Sequence, residues 1–335
     1  FYCRLRIADT YFMQGDLQSA SNEAHEALIL AQQSLGRTEI AQAYNLLGGI
    51  AYRHGDLESS QSSALASLHT FQAIGAGWGV ARAENNLGIV AVAAGRWSEA
   101  SLHFSTSLRL SQELGNLAGI VIANQNLGLL HRDQGRLEEA ADYLAAGLKI
   151  AEASHMDYHI ISLTLGMTQT MLMRGEVDEA ADLLQRGKKQ AHAVGTRDLE
   201  AEAIYVESEY WYARTDWSRA EQLAQHVAAL AAEIDHRRIA AAAWRLATRC
   251  ALATGNVVRA NQFHAKAEAA LAQTSDRLEH GRIVFQAALL HRAENNQAEA
   301  QRCLVEAHAV FASLGAQRDL HDVERLQALV STQSI

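Results

Sequence analysis

The sequence predicts an all-α protein made of about eight consecutive helix pairs, and three observations support this. A short phrase recurs with a period of 40 residues, because Asn85–Gly88 is followed by Gln125–Gly128. Chains that repeat themselves at such a period are stacks of one structural unit. The 335 residues include no proline, which would interrupt a helix. Hydrophobic residues make up 49% of the chain, so every unit can bury one face.

Two columns of small residues mark the turn inside each repeat. The turn column is Gly15, Gly55, Gly95, Gly135, Gly175, Thr215, Gly255 and Asn295. Five positions later the column is Ala20, Ser60, Ala100, Ala140, Ala180, Ala220, Ala260 and Ala300. Glycine suits the left-handed residue that ends a helix, so we expect a first helix to end here and a second helix to follow.

The residue after the turn predicts how each second helix begins. Five units place a side chain there that can cap a helix: Asp16, Asp56, Asp216, Asn256 and Asn296. Three units have Arg96, Arg136 or Glu176 instead, with a glutamate in the first turn, where the helix dipole favours it. A second break, between units, is predicted at Gly75, Gly115, Gly195 and Gly315, with His155, Asp235 and Ser275 in the same column.

Small residues are also expected where the two helices of a unit cross. Gly48, Gly88 and Gly128 would let the helices approach closely, and a bulky side chain there would strain the packing. Later units replace this glycine with Ser208, Thr248 and Ala288.

Leu87, Gly88, Gly95, Ala100, Phe104 and Ser107 stand at the spacing of a tetratricopeptide repeat. The chain resembles the long-repeat subclass of this family, because its period is 40 rather than 34 and the usual proline is missing. That subclass occurs in spindle-orientation adaptors of the Pins type, in sensor regions of bacterial signal-transduction ATPases and in maltotriose-responsive transcription activators. The resemblance implies a right-handed α-α superhelix whose first helices line a concave groove.

The domain prediction is one repeat array over residues 1–318, followed by residues 319–335. That end is expected to be either a capping helix or the truncated first helix of a ninth repeat. Because Phe1 falls inside a predicted helix, we interpret the chain as a piece of a longer protein or as one trimmed at a disordered start.

Carried over to these repeats, the resemblance implies a first group of partner-binding residues. Asn45, Asn85 and Gln125 would form one line, with Asn86 and Asn126 beside it. Tyr52, Arg53, Arg82 and Arg132 would flank both lines. An amide donates and accepts hydrogen bonds, so such a ladder could hold an extended peptide backbone. The alternative is that Asn86 and Asn126 bond neighbouring helices.

A second group is predicted further along the groove. It comprises Glu202, Tyr205, Glu209 and Tyr212, facing Arg245 and Arg249, with Arg282 and Arg292 beyond. Aromatic residues beside charges are common anchors at interfaces. The alternative is that Glu209 and Arg249 form a solvated ion pair, which would contribute little. Trp211, Trp217 and Trp244 fall in columns that pack inward and are assigned to the core.

Other motifs give weaker indications of function. His155 and His159 have a spacing that could hold a metal, but no third ligand is apparent. Residues 75–79 mimic a phosphate-binding loop, yet they follow a helix, so we interpret them as a flexible turn. His131 and His291 are expected to be hydrogen-bonded core residues. The sequence offers no nucleophile, base and charge stabiliser together, so we expect no enzyme, no cofactor and no metal.

The formal charge of −9, with acids and bases interspersed, argues against a nucleic-acid partner. Three cysteines in no metal-like spacing suggest buried free thiols in a reducing, cytoplasmic setting, and no apolar run is long enough for a membrane span. We therefore expect a scaffold that binds a protein or peptide in its groove. The alternative is a small-molecule-sensing region of a larger bacterial transcriptional or signal-transduction regulator, and self-association through the terminal repeats is a third possibility.

Overall fold

The computed structural model describes residues 1–272, 274 and 276–332, and this part of the chain contains seventeen α-helices and no strand. In order they are α1 Tyr2–Gln14, α2 Leu17–Gln33, α3 Arg37–His54, α4 Leu57–Ala73, α5 Gly77–Ala93, α6 Trp97–Glu113, α7 Leu117–Asp133, α8 Leu137–Ala153, α9 Asp157–Arg174, α10 Val177–Val194, α11 Arg197–Ala213, α12 Trp217–Glu233, α13 Arg237–Ala253, α14 Val257–Leu271, α15 Arg277–Ala293, α16 Gln297–Leu314 and α17 Gln317–Thr332. The all-α class and the helix-pair repeat are confirmed.

The chain divides into two compact units, Phe1–Leu127 and Gly128–Ile335. Within each unit an odd-numbered first helix packs against the even-numbered second helix that follows it. First helices also contact the next first helix, as α3 does with α5 and as α11 does with α9 and α13. The first helices of a unit therefore form a continuous layer, and their side chains in equivalent positions lie side by side.

Both predicted columns of turns are confirmed in the described residues. Every glycine of the first column has a positive φ, and Thr215 and Asn295 adopt it without being glycine, at φ 61 and 62. In the second column Gly75, Gly115, Gly195 and Gly315 do the same, as do His155 and Asp235. Leu35 also adopts it at φ 54, which the sequence did not indicate. Ser275 lies outside the described residues.

The predicted caps also form. Asp16, Asp56, Asp216, Asn256 and Asn296 each accept a hydrogen bond from the backbone amide three residues on. Arg96, Arg136 and Glu176 make no such side-chain bond at the start of their helices. The local sequence thus determines where the second helices begin.

Close helix crossings are confirmed at two of the three predicted glycines. A Cβ at Gly88 would lie 2.4 Å from Phe104 Cε1, and one at Gly128 would lie 2.6 Å from Leu144 Cγ. At Gly48 the nearest atom would be 3.4 Å away, which is close to an ordinary contact. Where later units carry Ser208 or Thr248, the hydroxyl is fully buried and bonds back to a carbonyl of its own helix.

Two expectations are corrected. Of residues 75–79, Gly75 belongs to the turn, Ala76 caps α5, and the other three are the first residues of α5. A Cβ at Gly79 would lie 2.2 Å from the Phe71 ring, so these helical residues are packed and do not form a flexible loop. Cys250 and Cys303 are buried free thiols as expected, but Cys3 is exposed.

Among the described helices, none combines the length and hydropathy that crossing a bilayer requires.

The predicted C-terminal helix is present as α17, which begins directly after the Gly315 turn. Its apolar side includes Val323 and Leu326, both buried. Nothing is described of the side chains of Leu329 and Val330, and residues 333–335 lie outside the described chain. Whether α17 caps the array or starts a ninth repeat stays a prediction.

Candidate binding surfaces on the first helices

In the first unit, asparagines on successive first helices bond to each other. Asn86 on α5 donates from Nδ2 to Asn45 Oδ1 on α3 at 2.8 Å, and Asn126 on α7 makes the same bond to Asn85 on α5, also at 2.8 Å. Asn45 and Asn85 are 4% and 9% exposed, whereas Asn86 and Asn126 are half-buried. The two predicted amide lines are therefore joined into pairs that link neighbouring helices, with the outer member of each pair reaching solvent.

Arginines and aromatic residues surround these pairs unevenly. The Asn45 amide has two alternative orientations: its oxygen faces either Asn86 Nδ2, as above, or Arg82, whose guanidinium then donates to it at 2.7 Å in place of the Asn86 bond. Arg82 itself is exposed. Arg53 is exposed and lies over the Phe12 ring, 5.3 Å from its centroid. Gln125 is half-buried and Tyr52 is 39% exposed. Arg82 is thus the predicted flanking residue that the structure brings against the amides.

In the second unit, a hydrogen-bonded chain crosses from α7 to α11. Arg132 donates from Nη1 to Gln169 Oε1 at 2.6 Å, and Gln169 donates from Nε2 to Glu209 Oε2 at 2.7 Å. Tyr205, one turn earlier on α11, donates its hydroxyl to Glu209 Oε1 at 2.9 Å. Burial raises the pKa of Tyr205, and the Glu209 charge raises it further, so the hydroxyl stays protonated and remains a donor.

A buried ion pair continues this arrangement from α13 to α15. Arg245 Nε lies 2.6 Å from Glu279 Oε1, and the two side chains are only 10% and 6% exposed. Burial alone would lower the pKa of Arg245, but the Glu279 carboxylate more than offsets this and the net effect is to raise it. In this buried position the guanidinium and the carboxylate compensate each other.

A third pair joins α15 to α17. Arg282 bonds Asp319 through two nitrogens, at 2.9 and 3.0 Å. Asp133, at the end of α7, pairs with Arg132 at 3.1 Å. Burial raises the pKa of Asp133, yet the charges of Arg132, Arg282 and Arg238 outweigh it and leave the pKa lowered. We call this set the polar circuit: Arg132, Asp133, Gln169, Tyr205, Glu209, Arg245, Glu279, Arg282 and Asp319.

Glu202, on α11 two turns before Glu209, differs from these residues. Among the described residues no hydrogen-bonding partner is found for its carboxylate, although the charges of Arg132 and Arg238 act on it. Burial raises the pKa of Glu202 to about 7, and those two arginines oppose the shift. The side chain keeps partial exposure. The charge of the Glu202 carboxylate therefore changes near neutral pH.

The structure corrects one predicted contact and adds residues that sequence reasoning missed. Glu209 bonds Gln169 and Tyr205, whereas Arg249 lies over the Tyr212 ring, 4.3 Å from its centroid, so the expected Glu209–Arg249 pair is not the one that forms. The missed members of the polar circuit are Asp133, Gln169, Glu279 and Asp319. Gln169 occupies the same repeat position as Glu209, and this was the available signal.

The three tryptophans lie where expected, whereas the two histidines predicted to be hydrogen-bonded core residues do not fully match that prediction. Trp211, Trp217 and Trp244 pack partly buried against the core of the second unit. His131 is 7% exposed, and in the described structure its Nδ1 has no hydrogen-bond partner, so it is buried but not fully bonded. His291 is half-buried. In the described part of the chain no group of three or more metal-ligating side chains is found, at His155 and His159 or elsewhere.

Comparisons with known proteins identify the fold. No protein-family model and no curated protein sequence matches the chain. Solved structures do. A Rap protein complexed with Competence and Sporulation Factor superposes with a TM-score of 0.69 at 11% identity, covering 99% of this chain and 97% of that one. NprR in complex with its cognate peptide NprX gives 0.63 at 12% identity, covering 97% and 98%.

A third match covers only part of a longer chain. It is a Signal Transduction ATPase with Numerous Domains from Pyrococcus horikoshii that carries a tetratricopeptide repeat sensor. The TM-score is 0.58 at 13% identity, and the match covers 96% of this chain but 48% of that one. At these identities the similarity is one of fold. Together with the 40-residue period, it shows that the chain has the all-α repeat fold of tetratricopeptide-type proteins.

Proposed function

We propose that this chain is a non-catalytic scaffold that binds a peptide or a protein segment through the polar faces of its first helices. The observation that carries the proposal is the series of half-buried donors and acceptors on successive first helices. The donors and acceptors belong to Asn86 and Asn126 in the first unit, and to Gln169 and Glu209 in the second unit. An extended backbone needs both donors and acceptors at regular intervals. Because hydrogen bonds fix these side chains beforehand, less entropy is lost on binding.

The similar structures support this proposal. The Rap protein was solved with Competence and Sporulation Factor and NprR with a cognate peptide, so the same fold accommodates such partners elsewhere. We further propose that the chain acts in the cytoplasm as the sensor region of a bacterial regulator, in which binding is passed to another part of the protein. The partner-binding residues we propose remain those predicted above, extended by Gln169.

A library of short random peptides displayed on phage, selected against the chain, would test this. We expect enriched sequences whose affinity, measured by titration calorimetry, falls about tenfold or more with Gln169→Ala, since a bound donor and acceptor are lost. The matched control is Arg186→Ala, which removes an exposed side chain of α10 that pairs with Glu152. Absence of any enriched peptide, or equal losses in both variants, would contradict peptide binding here.

A second candidate function is sensing of a small effector. The observation favouring it is the match to the repeat sensor of a signal-transduction ATPase, in which the matched part is about half of that chain. Thermal-shift screening against common metabolites separates the two candidates. Stabilisation by a metabolite, with no peptide selected, would favour effector sensing.

A further inference from the structure

The end of α7 and the start of α17 meet, although they are far apart in sequence. The backbone amide of Gln317 donates to the carbonyl of Gln134 at 3.2 Å. Gly135, with φ +80, is so close to the next residue of α17 that a Cβ there would lie 3.0 Å from the Arg318 backbone nitrogen. The contact joins two segments of the second unit that nine intervening helices, α8 to α16, separate in sequence.

The turn that precedes α17 is buried in a way that no equivalent turn is. Ala316 is 0% exposed. In each of the other repeats the residue at this position is at least partly exposed: Gly36, Ala76, Asn116, Met156, Thr196, His236 and Asp276. Repetition alone would give Ala316 the same environment as the others. Its burial coincides with the contact to residues 134 and 135.

Charged side chains hold the same junction from the polar face. Arg282 on α15 bonds Asp319 on α17 with two hydrogen bonds, and the side chains are 22% and 18% exposed. Asp133, next to the contacting turn, raises the pKa of Arg282 further. Two carboxylates therefore act on the Arg282 charge, one bonded to it at the start of α17 and one at the end of α7. An arginine with two hydrogen bonds to one carboxylate fixes orientation as well as distance.

We propose that residues 133–135 and 317–319 form an intramolecular clasp, which closes the second unit and sets the geometry of its polar circuit. In a repeat array each repeat contacts its neighbours, and small rotations between repeats determine the curvature. A contact between repeats that are not neighbours restricts those rotations. Through the clasp, α17 helps to position the polar circuit in addition to packing against the last helix pair. Opening of the clasp would change the distances between Arg132, Glu209 and Arg245 together.

Disulfide trapping tests the clasp directly. A Gln134→Cys/Gln317→Cys variant, with Cys3→Ser to remove the exposed thiol, places two thiols on residues whose backbones are hydrogen-bonded at 3.2 Å. We expect near-complete cross-linking under mild oxidation, seen as faster migration on a non-reducing gel. The control is Arg174→Cys/Gln317→Cys, since Arg174 holds the same position one repeat later. Cross-linking only in the control pair, or in neither pair, overturns the proposal.

Hydrogen exchange tests what holds the clasp shut. Asp319→Asn should speed amide exchange at residues 315–320 about tenfold or more, because local opening becomes easier. Asp322→Asn removes an equal charge from an exposed site on the same helix and should not. This arm needs no ligand, so its outcome is independent of whether a peptide binds. Equal exchange in both variants would show that the Arg282–Asp319 pair does not hold the clasp.

Discussion

The two units stabilise their first helices by different means. In the first unit the contacts across first helices are neutral, with paired asparagine amides and close helix crossings at glycine. In the second unit the corresponding contacts are largely ionic. Its first crossing still has Gly128 close to Leu144, and later repeats carry Ser208 and Thr248 at that position. One repeat pattern therefore accommodates two kinds of polar layer. The small-residue columns preserve the backbone arrangement, while the polar positions of the first helices are free to differ.

This difference matters because the two layers respond differently to change. A neutral amide pair can be deleted whole without leaving a buried charge, so it tolerates substitution. A buried ion pair cannot lose one member without exposing the other to an apolar environment. We expect the first unit to be sensitive to volume and the second to charge and pH. The following predictions test that contrast.

The largest effect is expected at the Arg245–Glu279 pair. Glu279→Gln leaves a buried guanidinium without its counter-charge and should lower the free energy of unfolding by about 3–5 kcal/mol. Urea denaturation monitored by circular dichroism measures it. Glu152→Gln breaks the exposed pair with Arg186 and should cost less than about 1 kcal/mol. Similar losses in the two variants would show that the second unit is not held together by buried charge.

The next effect concerns volume in the first unit. Gly88→Leu should destabilise the protein by about 3 kcal/mol, because the new side chain overlaps the buried Phe104 ring. Gly48→Ala serves as the control, since its Cβ would meet nothing closer than 3.4 Å. Urea midpoints for both variants give the comparison. If Gly48→Ala costs as much as Gly88→Leu, close approach is not what the glycine column provides.

A pH effect is expected from Glu202. Its pKa is about 7 in the folded protein against an ordinary value of 4.5, so the folded state binds the proton more tightly. Stability therefore falls as pH rises from 4.5 to 7, by roughly 1–3 kcal/mol. Glu202→Gln should remove this slope and make the protein more stable than the parent above pH 7. Thermal unfolding across that range measures it, with exposed Glu138→Gln as control; an unchanged slope in Glu202→Gln would contradict the assignment.

The smallest stability effect is expected at the amides. Asn85→Ala together with Asn126→Ala removes both partners of one hydrogen bond and should cost about 1 kcal/mol or less. Asn126→Ala alone leaves the buried Asn85 amide without its partner and should cost more. If the proposed function holds, the double variant also weakens peptide binding in titration calorimetry. Unaltered peptide affinity would remove Asn85 and Asn126 from the site and leave their role as links between helices.

Much of the local structure was predictable, because it depends on residues close in sequence. Asp16 caps α2 and Gly55 ends α3 through interactions within one turn of a helix. The turn at Leu35 was missed, since leucine gives no preference for positive φ and the repeat imposes it there. The candidate site was predictable by repeat position but not by partner. Glu209 was identified, yet its bond to Gln169 was not, because position gives the column and not the side chain that reaches across it.

The sequence by itself determined the period, the helix ends, the caps and the small residues at the crossings, since each follows from backbone preferences and steric fit within one or two units. Only the tertiary structure decided that Asn86 bonds Asn45, that Arg245 pairs with Glu279, and that Gln317 meets Gln134. The side chains that meet depend on small rotations between neighbouring repeats, and for Gln317 and Gln134 these rotations accumulate along the array. No single repeat encodes that sum, so the charged partners and the closing contact emerge only when the second unit is folded.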